Sequence, residues 1–391
     1  AGFANCVLWP LLHYRLDLVN FKPAFLRGYK RVNSKFADAL LPHLKTKDTI
    51  WIHDYHLIPL AAELRKRGCR QRIGFFLHVP FPPPEILAAA PECDWLIQSL
   101  FSYDLLGFQT ETDLGNFSRY VEVYGDGQSN QNGCVTGFGN SVVARCFPIG
   151  INVEDFAAMA HTRDADEQIQ TLRQTTLERQ LIIGVDRLDY SKGLPDRLQA
   201  FRRLLELHPE NQKFVTLMQI APPTREDVEA YSDIRTELET LSGSINGQFA
   251  DFDWTPVRYI HRAIPRGILA ALFRGSQVGF VSPLRDGMNL VAKEYVAAQD
   301  DEDPGVLVLS KFAGAAEDLE EALIVNPYNF DEMAENLQRA LKMPLAERRH
   351  RQRALMKRIR ERDANNWQSS FLGTLESLPI GKPLHRRTKA P

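Results

Sequence analysis

Through most of this chain, short runs of β-branched and aliphatic residues take turns with stretches of helical period, and that alternation constrains the fold more than any other feature. From Arg31 onward it predicts a helix near Val32 to Leu44, a strand Thr49 to His53, a helix Leu57 to Arg67, a strand Arg72 to His78 and a helix near Glu85 to Ala90. A helix around Asp94 to Ser102, a short strand Leu105 to Gln109, a helix from Thr112 and a strand Val142 to Phe147 follow. Strands separated by helices of this length imply parallel βαβ units. The segment Tyr124 to Asn140, rich in Gly, Ser, Asn and Gln, reads as an exposed loop.

After Pro148-Ile149-Gly150 and a polar, helix-prone stretch to about Glu178, the alternation resumes with strands near Leu181, Phe214, Val257, Val278 and Val306. Helices lie around Leu198, Val228, Ile268 and Val291, and from Phe330 to Leu341. The expected fold class is α/β, with two Rossmann-like doubly wound domains, residues 1-151 and residues 152-360. A chain of 391 residues exceeds what a single core normally holds. The last long helical stretch, Leu345 to about Leu378, is strongly basic through Arg362 and more apolar at Trp367, Phe371 and Leu372. Its basic run reads as a solvated helix face, and residues 381-391 read as a disordered tail.

Composition excludes several roles. The formal net charge of −2 argues against nucleic acid as the main partner, so any anion site must be local. The five cysteines are scattered without C-x-x-C spacing and cannot form a complete intrachain set, which fits a reducing cytoplasm. No run approaches the roughly 18 consecutive apolar residues of a membrane span, so no membrane partner is expected.

Two strand-to-helix turns carry the chemistry. Pro283-Leu284-Arg285-Asp286-Gly287-Met288-Asn289-Leu290-Val291 follows the apolar run Gln277 to Val281 and runs into an amphipathic helix, which would aim free N–H groups at the crevice where an α/β sheet binds phosphate. Val185-Asp186-Arg187-Leu188-Asp189-Tyr190-Ser191-Lys192-Gly193 has the same construction and puts a planar guanidinium and a compact ammonium on one loop. Two such loops facing one crevice would make a diphosphate clamp. On plainer readings, Arg187 is an interdomain ion pair, Lys192 a surface charge, Asp286 a helix cap and Glu294 a helix-face charge with a nearby cation.

These two motifs, with Trp51-Ile52-His53-Asp54-Tyr55-His56-Leu57 and Phe75-Phe76-Leu77-His78-Val79-Pro80-Phe81-Pro82, resemble in order those of the trehalose-6-phosphate synthase family, over nearly the whole chain. The resemblance implies a GT-B type fold, two Rossmann-like domains facing a central cleft, with a final helix, residues 361-380, crossing back to the first domain. It implies a retaining hexosyltransferase that moves glucose from UDP-glucose to glucose 6-phosphate, with no cofactor, and a homo-oligomer is compatible with it. The nearest alternatives are a relative using another phosphorylated acceptor such as glycerol 3-phosphate, and a catalytically inactive sugar-phosphate sensor.

The resemblance also implies residue roles. Arg187, Lys192 and Asp286 are the catalytic candidates: the first two meet the leaving diphosphate, and Asp286 binds hydroxyls of the transferred glucose. Donor binding further involves His78, Gly287, Met288, Asn289, Leu290, Val291 and Glu294, the last on the ribose. Acceptor binding falls to Trp9, Asp54 and Arg225, a planar fork suited to a phosphate dianion. His53, Tyr55 and His56 read as supporting residues, and a metal at His53, Asp54 and His56 is discounted because side chains on one such turn diverge. The family's Ser-Asn-Arg strand end and Gly-Gly-Leu loop are not found upstream of Trp9, so the expectation is a piece of a longer gene product with an incomplete acceptor half.

Overall fold

The computed structural model describes residues 2–224 and 229–380, and it divides into two compact units, one running to Ile149 and resuming at Asn366, the other spanning Gly150–Asn365. Both are α/β. In the first, β1 (Thr49–His53), β2 (Arg72–Phe76), β3 (Leu105–Phe108), β4 (Gln128–Ser129), β5 (Cys134–Gly137) and β6 (Asn140–Cys146) form one sheet in the order β1-β2-β3-β6-β5-β4. The first three and β6 are parallel, joined by helices such as Leu60–Lys66 and Glu111–Tyr124, while β4, β5 and β6 form an antiparallel meander.

The second unit has β7 (Gln180–Val185), β8 (Val215–Ile220), β9 (Val257–Ile260), β10 (Val278–Val281), β11 (Val306–Ser310) and β12 (Leu323–Val325), all parallel, in the order β12-β11-β10-β7-β8-β9. From β7 the chain winds outward one way through β8 and β9, then returns to β10 and winds the other way. Neighbours β7 and β10, with Ile182 opposite Val278, therefore flank the topological switch point, where loops at the strand ends diverge and leave a crevice. Nearly every residue of β7, β8, β10 and β11 is buried, as expected of strands covered on both faces, and a core of Leu194, Phe201, Val215, Trp254, Phe280 and Met333 lies beneath them.

Three expectations need correction. Tyr124 to Asn140 is not a plain loop: Gly133, at φ +77°, allows the chain to reverse and β4 and β5 to pair, extending the sheet. The helix expected near Val32 to Leu44 spans Pro23–Leu40 and ends in a short 3₁₀ turn, because Pro23 sits comfortably in a first helical turn and Pro42 does not continue one. The single helical stretch Leu345 to Leu378 is two helices, Leu345–Glu361 and Ala364–Ser377. Arg362, at φ −122°, breaks it; its guanidinium is held by the Asp318 carboxylate, and its carbonyl packs so closely on Gly150 that any Cβ there would collide. The helix Ala364–Ser377 lays Phe371 and Leu375 on Phe76 and Leu105 of the first sheet. Strand β12 went unread in the sequence. The expectations at Val228, Arg225 and residues 381-391 lie outside the described residues.

Candidate active site

Two loops leave the carboxyl ends of β7 and β10 and are stitched together. The 3₁₀ turn Tyr190–Lys192 is capped by Asp189, whose Oδ1 accepts from the Ser191 N–H at 3.0 Å. Ser191 then offers its carbonyl to the N–H groups of Leu284 (2.8 Å) and Arg285 (3.3 Å) in the other loop. Gly193 has φ +59°, and a Cβ there would stand 2.6 Å from the Ser282 carbonyl, so both backbone conformation and close approach require glycine. The loops are joined again by side chains: Lys192 Nζ donates to Asp286 Oδ2 at 2.5 Å.

Asn289 completes this corner. At φ +70° it caps the helix Leu290–Ala298, its Oδ1 accepting from the Ala292 N–H at 3.3 Å, while its Nδ2 donates to Asp286 Oδ2 at 3.0 Å and lies 3.4 Å from Asp186 Oδ1. The helix thus starts three residues later than a cap at Asp286 would require, and that plainer reading of Asp286 falls away. The N–H groups of Leu290 and Val291 lie ahead of the first intrahelical bond, with the positive end of the helix behind them. Gly287 and Met288 are buried, and Leu290 is partly exposed.

The charges are unevenly exposed. Lys192 is buried, not a surface charge: burial works against its ammonium, but the carboxylates of Asp286, Asp186 and Asp189 outweigh that and raise its pKa. Arg187 is exposed and has no ion-pair or hydrogen-bond partner among the described residues. Glu294 is half-buried; burial pushes its carboxyl pKa up, partly offset by Arg266, whose Nη2 lies 3.4 Å from Oε1. The Lys192 ammonium and the leading amides of helix Leu290–Ala298 thus stand on two loops stitched together, and the loop after β7 also carries the exposed Arg187, a set of donors suited to an anion.

The first unit carries a different cluster. His53 ends β1 and His78 follows β2, and His53 Nδ1 and His78 Nε2 share a hydrogen bond of 3.0 Å. Burial, then repulsion from His53, lowers the His78 pKa to about 4, and burial lowers that of His53, so both rings are neutral near pH 7. Between them in sequence, Asp54 has φ +71° and ψ 163°, a region that side chains other than glycine's enter only under strain. Its Oδ1 accepts weakly from the His78 N–H at 3.4 Å, and its own N–H donates to the Phe76 carbonyl at 2.8 Å. Trp9 is buried, with its ring 4.1 Å from His13 and 5.8 Å from Tyr55.

Sequence reasoning missed three supports. Trp367 packs 6.1 Å from the His78 ring and 5.1 Å from Phe76, although it was legible only as an apolar position late in a helix. Arg266 was not connected with Glu294. Arg197, wholly buried beneath the β7 loop, drew no reading of its own within the helix expected around Leu198. Among the described residues, no three His, Cys, Asp or Glu side chains gather as a metal-binding set.

Comparison with known proteins places these residues in context. The profile of glycosyltransferase family 20 matches residues 1–377. A trehalose-6-phosphate synthase of Cronobacter sakazakii is 50% identical over 381 residues, covering 97% of this chain and 80% of that protein. Crystals of an α,α-trehalose-phosphate synthase (UDP-forming) from Burkholderia xenovorans with glucose 6-phosphate give a TM-score of 0.94 at 51% identity, over 96% of this chain and 84% of that one. An E. coli structure bound with UDP-2-fluoroglucose gives 0.95 at 49% identity, over 97% and 84%.

Proposed function

The chain belongs to glycosyltransferase family 20, and from that premise we propose how its residues serve the reaction. The activity is that of a UDP-forming α,α-trehalose-phosphate synthase: glucose passes from UDP-glucose to glucose 6-phosphate with retention, giving trehalose 6-phosphate and UDP. Breaking the bond between the anomeric carbon and the diphosphate builds negative charge on the leaving oxygen while the sugar turns oxocarbenium-like. Fixed cations and oriented N–H dipoles stabilise that charge by about 3 kcal/mol for each well-aimed donor.

The observation that carries the assignment is the buried Lys192 ammonium on Asp286, beside the leading amides of helix Leu290–Ala298 at the switch point of the sheet. In this reading Lys192, Arg187 and the amides of Leu290 and Val291 hold the diphosphate. Asp286, its Oδ2 pinned by Lys192 and Asn289, accepts from glucose hydroxyls, and Glu294 accepts from the ribose. His78, neutral at physiological pH, hydrogen-bonds the glucose rather than shuttling a proton. Trp9 and Asp54 meet the acceptor sugar, and Arg225 meets its phosphate.

In this reading the transfer calls for no carboxylate pair acting as nucleophile and acid. The leaving phosphate oxygen takes the proton of the acceptor hydroxyl on the same face of the sugar, so the protein contributes positioning and charge stabilisation. The five cysteines carry free thiols, which supports an enzyme of the reducing cytoplasm; among the described residues no helix is long and apolar enough to cross a membrane. Incubation with UDP-glucose and glucose 6-phosphate, read by NMR, is expected to give a 1,1-linked α,α-disaccharide phosphate and UDP. Product from glycerol 3-phosphate alone would overturn the acceptor assignment.

A further inference from the structure

Arg197 stands in the first turn of helix Leu194–Leu207, has no exposed surface, and yet touches none of the residues assigned to substrate. Its Nη2 donates to Asp186 Oδ2 at 2.6 Å, its Nη1 to Gln219 Oε1 at 3.1 Å, and its Nε to Ser282 Oγ at 3.1 Å. The plane lies 5.7 Å from the Phe280 ring centroid. Asp186 follows β7, Gln219 is in β8 and Ser282 follows β10, so one guanidinium spans the ends of three adjacent strands. Room for it exists because residue 184 is glycine: a Cβ there would stand 2.5 Å from Nη1.

The bond to Asp186 has a second consequence. That buried carboxylate lies beside the donor corner, with Oδ1 3.4 Å from Asn289 Nδ2. A buried carboxylate without a cation is costly and recruits whatever positive group is near. The cation it already acts on is Lys192, and the amide beside it is that of Asn289; both also hydrogen-bond Asp286. We infer that Arg197 is a positioning residue for glucosyl transfer: it neutralises Asp186 and fixes the β7, β8 and β10 ends so that Lys192 and Asn289 stay directed at Asp286 and the donor diphosphate. This rests on the reading of Lys192 and Asp286 as donor groups.

The test compares Arg197→Lys, Arg197→Met, Asp186→Asn and the double variant Asp186→Asn with Arg197→Met in steady-state kinetics for both substrates, with thermal melting alongside. Arg197→Met is expected to lower kcat/KM for UDP-glucose by about 100-fold, the scale of a small misplacement of reacting groups. Arg197→Lys, which keeps the charge but not the fork, is expected to lose roughly tenfold. KM for glucose 6-phosphate stays put, and Asp186→Asn recovers about tenfold in the Arg197→Met background, because the carboxylate needing neutralisation is gone. A merely structural arginine would lower stability and both substrates' parameters together, with no rescue. Should Arg197→Met not fold, Arg197→Lys decides the matter alone: a roughly tenfold loss in kcat/KM for UDP-glucose with KM for glucose 6-phosphate unchanged supports the inference. Wild-type kinetics in Arg197→Lys, or a double variant no better than the single, overturns the inference. Lys192→Ala is run in parallel: if it retains turnover the donor assignment itself fails, whereas an inert Lys192→Ala with a normal Arg197→Lys fails only this inference.

Discussion

The two candidate substrate regions are built on opposite principles. In the second unit, Lys192, Asp186, Asp189, Asp286 and Arg197 form a mostly buried network of formal charges, and at this corner the positive φ angles fall on Gly193 and Asn289. In the first, His53 and His78 are uncharged, and Asp54 is held in a strained backbone conformation by the strand end it follows. The difference matches the chemistry proposed for each: a diphosphate that gains charge calls for fixed cations, whereas sugar hydroxyls, which carry no charge, call for shape and uncharged hydrogen-bonding groups. Charge prepared in advance avoids reorganisation during the reaction, which is why it is worth more in a buried loop than in water.

Lys192→Ala should show the contrast most strongly, lowering kcat by about 100- to 1,000-fold, as loss of one preorganised donor does elsewhere. Rates of UDP release measure it, and a fall of less than tenfold would break the charge side of the comparison. Arg187→Ala should follow, with a loss of about 100-fold but an unchanged melting temperature, since an exposed guanidinium without a partner contributes within about 0.5 kcal/mol to stability. A melting temperature that falls with activity would assign Arg187 a structural role instead.

How much of this was readable in advance follows the same division. The parallel alternation and the two strand-to-helix motifs announce themselves in sequence, because side-chain period and turn chemistry are local. That Lys192 and Asp286 form one pair depends on β7 and β10 being neighbours, a fact of sheet order that no local pattern contains. Asn289, not Asp286, caps the helix: both residue types cap well, and only the backbone path decides between them. Trp367 reaches His78 because its helix packs on the first sheet, so nothing near position 367 could reveal it. The meander at β4 and β5 was misread because polar turn residues there outweigh the short paired segments between them.

Changes in the first unit should be milder and should appear in stability as well as rate. The His78 pKa is lowered to about 4, so the unfolded chain binds a proton there more readily than the folded one. Folding stability tied to His78 is therefore complete above the unfolded value near 6.5 and is lost as pH falls from there through about 4. His78→Phe should flatten that limb of the denaturation midpoint against pH while reducing kcat; an unaltered acid limb would show that the ring is not buried neutral. Asp54→Gly should raise stability by about 1 kcal/mol through relief of strain, yet weaken glucose 6-phosphate, whereas Asp54→Ala shares the activity loss without the gain. Urea denaturation checks both, and equal stabilities would refute the strain.

The smallest expected effect sharpens the second unit. Burial raises the Glu294 pKa, so its contribution to stability is present below the unfolded carboxylate range and is lost as pH rises through the folded value. In its ionised form the group is therefore held at a desolvation cost. Glu294→Gln should then melt slightly higher than the wild type at pH 7, by a degree or two, while KM for UDP-glucose rises. A lower melting point would mean that the Arg266 pair, not desolvation, governs this position.

Calorimetric titration of UDP and of uridine into the wild type and Lys192→Ala tests the claim about charge most directly, because the two ligands differ only by the diphosphate. The account predicts that the variant binds UDP at least tenfold more weakly and uridine unchanged. Equal losses for both ligands, or no loss for UDP, would contradict it.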